Sequence, residues 1–128
     1  MNRQIENGFI ECYIVKNKRE RLAHELFGKK RMDGVGRFCH CADEFLVASK
    51  IKAKGQYITD ELYKRIPKNK KCYVISCAED LDGKEFDGGE ILNLILGRGM
   101  PSIAVFEDFA IIETEQEQGP AVKYLLEA

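Results

Sequence analysis

The segment Gly36-Arg37-Phe38-Cys39-His40-Cys41 concentrates residue types that do chemistry: two of the chain's five cysteines, one of its two histidines and an arginine. Zinc requires three or four converging ligands, usually from spaced pairs such as C-x-x-C or H-x3-H. Two residues apart on a helix, Cys39 and Cys41 point about 200° apart at 3.6 residues per turn. Cys72 and Cys77 are five apart, so on a strand they face opposite sides. Neither pair has metal spacing, and no metal or other cofactor is expected. Cys39 falls on an apolar helical stripe and reads as core. A Cys–His nucleophile pair built from Cys41 or Cys77 with His40 fares poorly too. Neighbouring helical positions diverge by about 100°, and the acidic stretch after Cys77 would raise a thiol pKa.

Arg37, His40 and Glu44 form a second constellation, spaced three and four apart on one helical face. It reads either as a general acid/base oriented by a carboxylate beside an anion-binding arginine, or as a solvated row of ion pairs. Glu113 is a further carboxylate that could assist such a site. His24, in "RLAHELF", has no evident partner.

The stretch "CAEDLDGKEFDGGE" carries Glu79, Asp80, Asp82, Glu85, Asp87 and Glu90. Carboxylates suit magnesium or calcium, but the ligand register and twelfth-position glutamate of an EF-hand are missing despite "DLDGKE". The other readings are an acidic surface for a basic partner, or a solvated loop leading into a helix cap. No G-x-x-x-x-G-K-[ST] or G-x-G-x-x-G is present, so nucleotide binding has no motif behind it. The basic patches "KNKRER", "GKKR" and "KNKK" lack interleaved aromatics or a recognised module, which excludes dedicated nucleic-acid binding.

Charge is distributed unevenly. Residues 1–71 hold 17 Lys+Arg against 9 Asp+Glu, a net of +8, and residues 72–128 hold 3 against 12, a net of −9. Either the halves neutralise each other in the fold, or one face stays polar and steers a charged partner. With 128 residues, 45% apolar and 32% charged, the chain is one domain, residues 1–128, large enough for a hydrophobic core. It holds no apolar run of membrane-spanning length. Its first twenty residues lack a signal-peptide pattern, and its odd number of cysteines shows no paired rhythm. These features predict a cytoplasmic protein with free thiols.

The elements that must position these residues follow from periodicity. Helices are expected over about 2–15, where Ile5, Phe9 and Tyr13 recur at fours, and in "KRERLAHELFGK" with Gly28 as C-cap. A further helix is expected from about Met32 to Ala48, with Val35, Phe38, Cys39, Ala42, Phe45 and Leu46 on one stripe. "KIKAKGQYI" reads as a hairpin or lysine-rich edge strand, and "TDELYKRI" as a helix capped by Thr59 and limited by Pro67. "KCYVISC", 71–77, is a β-branched and aromatic strand. "EDLDGKEFD" is a loop turning at Asp82-Gly83, and Asp87 with Glu90 makes a capping box for the helix that ends at Gly97. "PSIAVFE" is the next strand, so strand–helix–strand predicts a parallel right-handed crossover. "FEDF" turns a hairpin into "FAIIET", and "GPAVKYLLEA" reads as a last strand or, alternatively, a terminal helix. The expected architecture is α+β: N-terminal helices packed on a small mixed sheet of three to five strands, containing one βαβ crossover and a hairpin.

The pieces "RFCH", "KCYVISC", "GMPSI" and "ETEQ…KYLL" resemble a group of small uncharacterised bacterial α+β proteins of the kind that includes toxin-immunity proteins. The resemblance implies a bacterial protein and carries no motif for an activity. Together with the charge asymmetry it leads to the expectation of a noncatalytic protein-binding module, an immunity or inhibitor protein. Its acidic surface of Glu79, Asp80, Asp82, Glu85, Glu107, Asp108, Glu115 and Glu117 would meet a basic protein partner. The alternative is a small hydrolase or transferase centred on Arg37 and His40, with Glu44 or Glu113 assisting.

Overall fold

Near-continuous burial along the central strands fixes the plane around which everything else is arranged. The computed structural model, describing residues 1–128, orders the elements as α1 (Arg3–Tyr13), α2 (Arg19–Leu26), α3 (Arg31–His40), α4 (Ala42–Phe45), β1 (Ile51–Gly55), α5 (Thr59–Arg65), β2 (Lys71–Ser76), β3 (Glu85–Asp87), α6 (Gly88–Leu94), β4 (Ser102–Val105), β5 (Phe109–Glu113) and β6 (Lys123–Glu127). The six strands form one sheet in the order β1-β6-β5-β4-β2-β3, and every pair is antiparallel.

Successive residues of each strand face opposite sides. Tyr73, Ile75, Ile103, Ala110, Ile112, Tyr124 and Leu126 pack with the apolar faces of α1–α4, where Phe38 meets Phe9 and Phe45 edge-on. Cys72, Val74, Ala104, Phe109, Ile111 and Leu125 pack against Leu62 and Ile66 of α5 and Ile91 and Leu92 of α6. The sheet is therefore covered on both faces, which explains why β5 is buried along its whole length.

The α+β class holds, with helices on the sheet and a β4–β5 hairpin, but the expected mixed sheet with a parallel crossover does not. β2 and β4 run antiparallel, pairing Ser76 with Ser102 and Tyr73 with Val105. The cause is one extra reversal. At Gly83, whose φ of +74° suits glycine, the chain turns back and pairs as β3, so the expected loop contains a three-residue edge strand. α6, opened by the Asp87–Glu90 capping box, then starts from the opposite end of the sheet. The expected helix from 32 to 48 also stops short, breaking at Cys41 and ending at Phe45. Beyond it Val47 N–H donates to Tyr13 O and Val15 N–H to Phe45 O, a bridge between Ile14 and Leu46 that helical backbone could not make.

The helical layer is fastened to the sheet by one buried cation. Arg31 donates through Nε and Nη2 to both oxygens of Asp82, through Nη1 and Nη2 to both oxygens of Glu6, and through Nη1 to Leu26 O. All five guanidinium N–H groups are thus used. Tyr73 Oη donates to Glu6 and accepts from Asn2 N–H. These bonds outweigh the cost of desolvating the guanidinium and raise its pKa, while burial pushes the Tyr73 hydroxyl up to about 12. Removing the cation strands two buried carboxylates. Arg31→Met is expected to cost about 3–5 kcal/mol, measured as the loss of unfolding free energy in urea at pH 7.

Candidate functional site

At one end of the sheet a polar row crosses four strands. Ser76, Ser102, Glu113 and Lys123 lie opposite one another in consecutive strands, followed by Gly55 at the β1 edge. All four side chains are buried. Ser76 Oγ and Ser102 Oγ share a hydrogen bond of 2.7 Å. The Glu113 carboxylate accepts from Gly97 N–H at 2.9 Å and Gly99 N–H at 2.7 Å. The Lys123 ammonium lies 4.0 Å from Glu113 and donates to Ala121 O and Gln56 O. Charges this deep persist only when paired and hydrogen-bonded. Here they hold the loops that leave this end of the sheet: 96–101 before β4, 114–122 between β5 and β6, and Gln56 after β1.

Those loops gather carboxylates from distant parts of the chain. Glu79 and Asp80 follow β2, Glu115 and Glu117 follow β5, and Asp33 comes from α3; all five are exposed. Two of them, Asp33 and Glu115, lie close enough to act on Cys77, the half-buried thiol just past β2. Burial raises its pKa, and the negative charges of Asp82, Glu115 and Asp33 raise it further. Cys77 Sγ donates to Met32 O. The thiol is therefore held protonated, the opposite of an activated nucleophile. Loop 96–101 lies between the two acidic loops, because β4 lies between β2 and β5. Cys77 N–H donates to Pro101 O and Gln116 N–H to Gly99 O, which joins the three segments into one surface.

Not every residue expected on the acidic surface is there. Asp82 is buried against Arg31, and its Oδ1 also accepts from Ser76 N–H. It is a structural anchor, missed as such because its partner lies 51 residues away. Glu107 and Asp108 sit in the β4–β5 turn at the opposite end of the sheet. There Arg65 lies 3.3 Å from Asp108, binds Glu127 at 2.8 Å and stacks on the Phe109 ring. Glu85 is on the edge strand β3. Asp33 belongs with the cluster although its helix comes from the basic half; no sequence signal beyond its exposed helical position marks it.

The Arg37–His40–Glu44 row does not assemble. Arg37 pairs with Glu25 of α2, His40 Nδ1 lies 3.5 Å from Glu117 with both side chains 65% exposed, and Glu44 is past the break at Cys41 and exposed. Glu113 faces the α5–α6 side of the sheet, whereas His40 is on the α1–α4 side, so the sheet separates them. His24 is exposed on α2. A polar groove of about 420 Å³ does run past His40, lined also by Asp43, Lys54, Glu115, Glu117 and Tyr124. Within it Asp43 is held below the usual carboxylate range by the Lys54 ammonium, and accepts from Tyr124 Oη at 3.0 Å. Neither Arg37 nor Glu113 lines this groove.

No three His, Cys, Asp or Glu side chains are grouped to hold a metal ion, and no helix is long and apolar enough to cross a membrane. Cys39 is buried, with its thiol pKa raised by desolvation. No protein-family model, curated protein or solved structure gives a significant match to the chain.

Cys77 provides a probe of Asp33 and Glu115. Neutralising a nearby carboxylate lowers the thiol pKa and enlarges the thiolate fraction at a fixed pH. Iodoacetamide at pH 8, with modified sites mapped by mass spectrometry, is expected to alkylate Cys77 more slowly than free cysteine. Asp33→Asn with Glu115→Gln is expected to accelerate that step roughly twofold without altering the rate at Cys12.

Proposed function

We propose that the chain is a noncatalytic protein-binding module of the immunity or inhibitor type, and that the acidic end of its sheet docks a basic partner. The observation that carries this reading is the convergence of Asp33, Glu79, Asp80 and Glu115 on that end with no ion-pair partner within the chain. Folding neutralises other carboxylates: Asp82 and Glu6 by Arg31, Asp43 by Lys54, Asp108 and Glu127 by Arg65. The carboxylates of the cluster remain open to a ligand. Glu79, Asp80 and Glu115 are carried by loops held from beneath by a buried polar row, an arrangement suited to a recognition surface. Complementary charge then accelerates encounter and disfavours acidic competitors. A toxin that acts on nucleic acid, basic for its own substrate, has the chemistry of such a partner.

A hydrolase or transferase centred on Arg37 and His40 has weaker support. Arg37 is engaged by Glu25, and the sheet keeps Glu113 from His40.

The test is capture from lysate of the source cells with the tagged chain at low and high salt. A stoichiometric basic protein, released at high salt, is the expected result. The pair Glu79→Lys and Glu115→Lys is expected to weaken its binding by about tenfold or more, while Glu107→Lys, at the far end of the sheet, leaves it unchanged. Equal retention by the charge-reversed chain, or no partner at either salt, would overturn the reading.

A further inference from the structure

Between the turn after β2 and the loop from α6 to β4 lies a cavity of about 500 Å³, inside the range of roughly 300–1,000 Å³ typical of ligand pockets. Leu81, Leu94, Ile95 and Met100 make its walls largely apolar. Three polar residues join them in the lining: Arg98, Asp80 and Ser102. Arg98 and Asp80 are exposed and enter no ion pair, with each other or with any other side chain. Two opposite charges thus border one apolar cavity, each without a charged partner. Ser102 is buried, and its hydroxyl bonds only to Ser76 Oγ. A hydroxyl offers one donor and two acceptor sites, so Ser102 keeps capacity for a further bond.

We propose that this cavity binds a free amino acid with a large apolar side chain, held as its zwitterion: the carboxylate on Arg98, the ammonium on Asp80 and the side chain among Leu81, Leu94 and Ile95. The charges select this class. A purely cationic ligand is opposed by Arg98, and by Lys84, whose ammonium donates to the Asp80 carbonyl at 3.0 Å. A purely anionic ligand is opposed by Asp80 and by its exposed neighbour Glu79. A zwitterion answers both charges of the lining and brings no net charge to the site. The guanidinium fork matches a carboxylate through two parallel hydrogen bonds, and burial of the apolar side chain supplies the remaining affinity. A few polar groups around an apolar space are the usual composition of a small-molecule site, in which those groups set the orientation of the ligand. Binding of this kind does not depend on the docking role proposed above.

Four small molecules separate the three contacts: L-phenylalanine, phenylpropanoate (no ammonium), phenethylamine (no carboxylate) and L-alanine (no large apolar side chain). Each is titrated at neutral pH into the full 15N-labelled chain. Phenylalanine is expected to shift the amides of Leu81, Leu94, Arg98 and Met100, and to bind about tenfold or more tightly than each of the other three. Arg98→Gln, at an exposed position, is expected to bring phenylalanine down to the affinity of phenethylamine without weakening phenethylamine itself. Asp80→Asn, likewise exposed, is expected to bring it down to the affinity of phenylpropanoate. Binding of either analogue as tight as that of phenylalanine would overturn the proposal, as would unchanged discrimination in either variant. So would shifts from phenylalanine that lie away from the cavity, or none at all.

Discussion

The buried guanidinium of Arg31 is the constraint on which the arrangement of layers depends. Its carboxylate partners come from the first helix and from the turn after β2, and it stands at the start of the third helix. One planar group thus sets the distance and orientation between the helical layer and the sheet. An apolar contact could bury the same area with less desolvation, but would not fix three segments in one geometry; a bidentate fork on each carboxylate does. Its effect reaches the surface through Asp82. By binding Arg31 and Ser76 N–H together, Asp82 turns the chain inward, so that Glu79 and Asp80, just before it, project to solvent.

The second polar element of the interior acts at the same end of the sheet. Glu113 grips the backbone of Gly97 and Gly99, and Gly99 has a φ of +66°, with Gln116 packed so closely that a Cβ would clash. Lys123 holds the carbonyls of Ala121 and Gln56. Backbone groups of exposed loops are thereby ordered by buried side chains, which lowers the entropy lost when such loops meet a ligand. The charged residues inside and the charged residues outside have different tasks. Glu113, Lys123 and Asp82 fix the loops, and Glu79, Asp80 and Glu115 are what the loops display.

Much of this was legible in the sequence where local rules govern. The β-branched run at 71–77, the Asp82-Gly83 turn, the Asp87–Glu90 capping box and the reversal at 106–109 all follow from spacing and residue type, whereas the last segment fitted a strand or a helix and only its pairing with β5 and β1 decides for a strand. The antiparallel course of β4 was not legible, because it depends on β3. Three residues, Glu85, Phe86 and Asp87, have no periodicity to show, and their pairing with Tyr73, Cys72 and Lys71 is set by the turn before them. The roles of the acidic residues were only half legible for a similar reason. Composition gives the excess of carboxylates in residues 72–128. It does not separate Asp82 and Glu113, which are neutralised or gripped inside, from Glu79 and Glu115, which are not.

That separation also answers what becomes of the uneven charge. The halves do meet, through Arg31 with Asp82, Arg65 with Asp108 and Glu127, and His40 beside Glu117. Yet basic side chains of the first half also pair within it: Arg31 with Glu6, Arg37 with Glu25, Lys54 with Asp43. Each such pair reduces the positive charge left to oppose residues 72–128. The pairs across the halves are spread over three places: the interface of α1 and α3 with β2, the far end of the sheet, and the groove beside His40. None of them includes Glu79, Asp80 or Glu115. A chain whose formal charge is only −1 therefore leaves Glu79, Asp80 and Glu115 outside its ion pairs at one end of its sheet, a consequence of where the ion pairs form, since the total is nearly neutral.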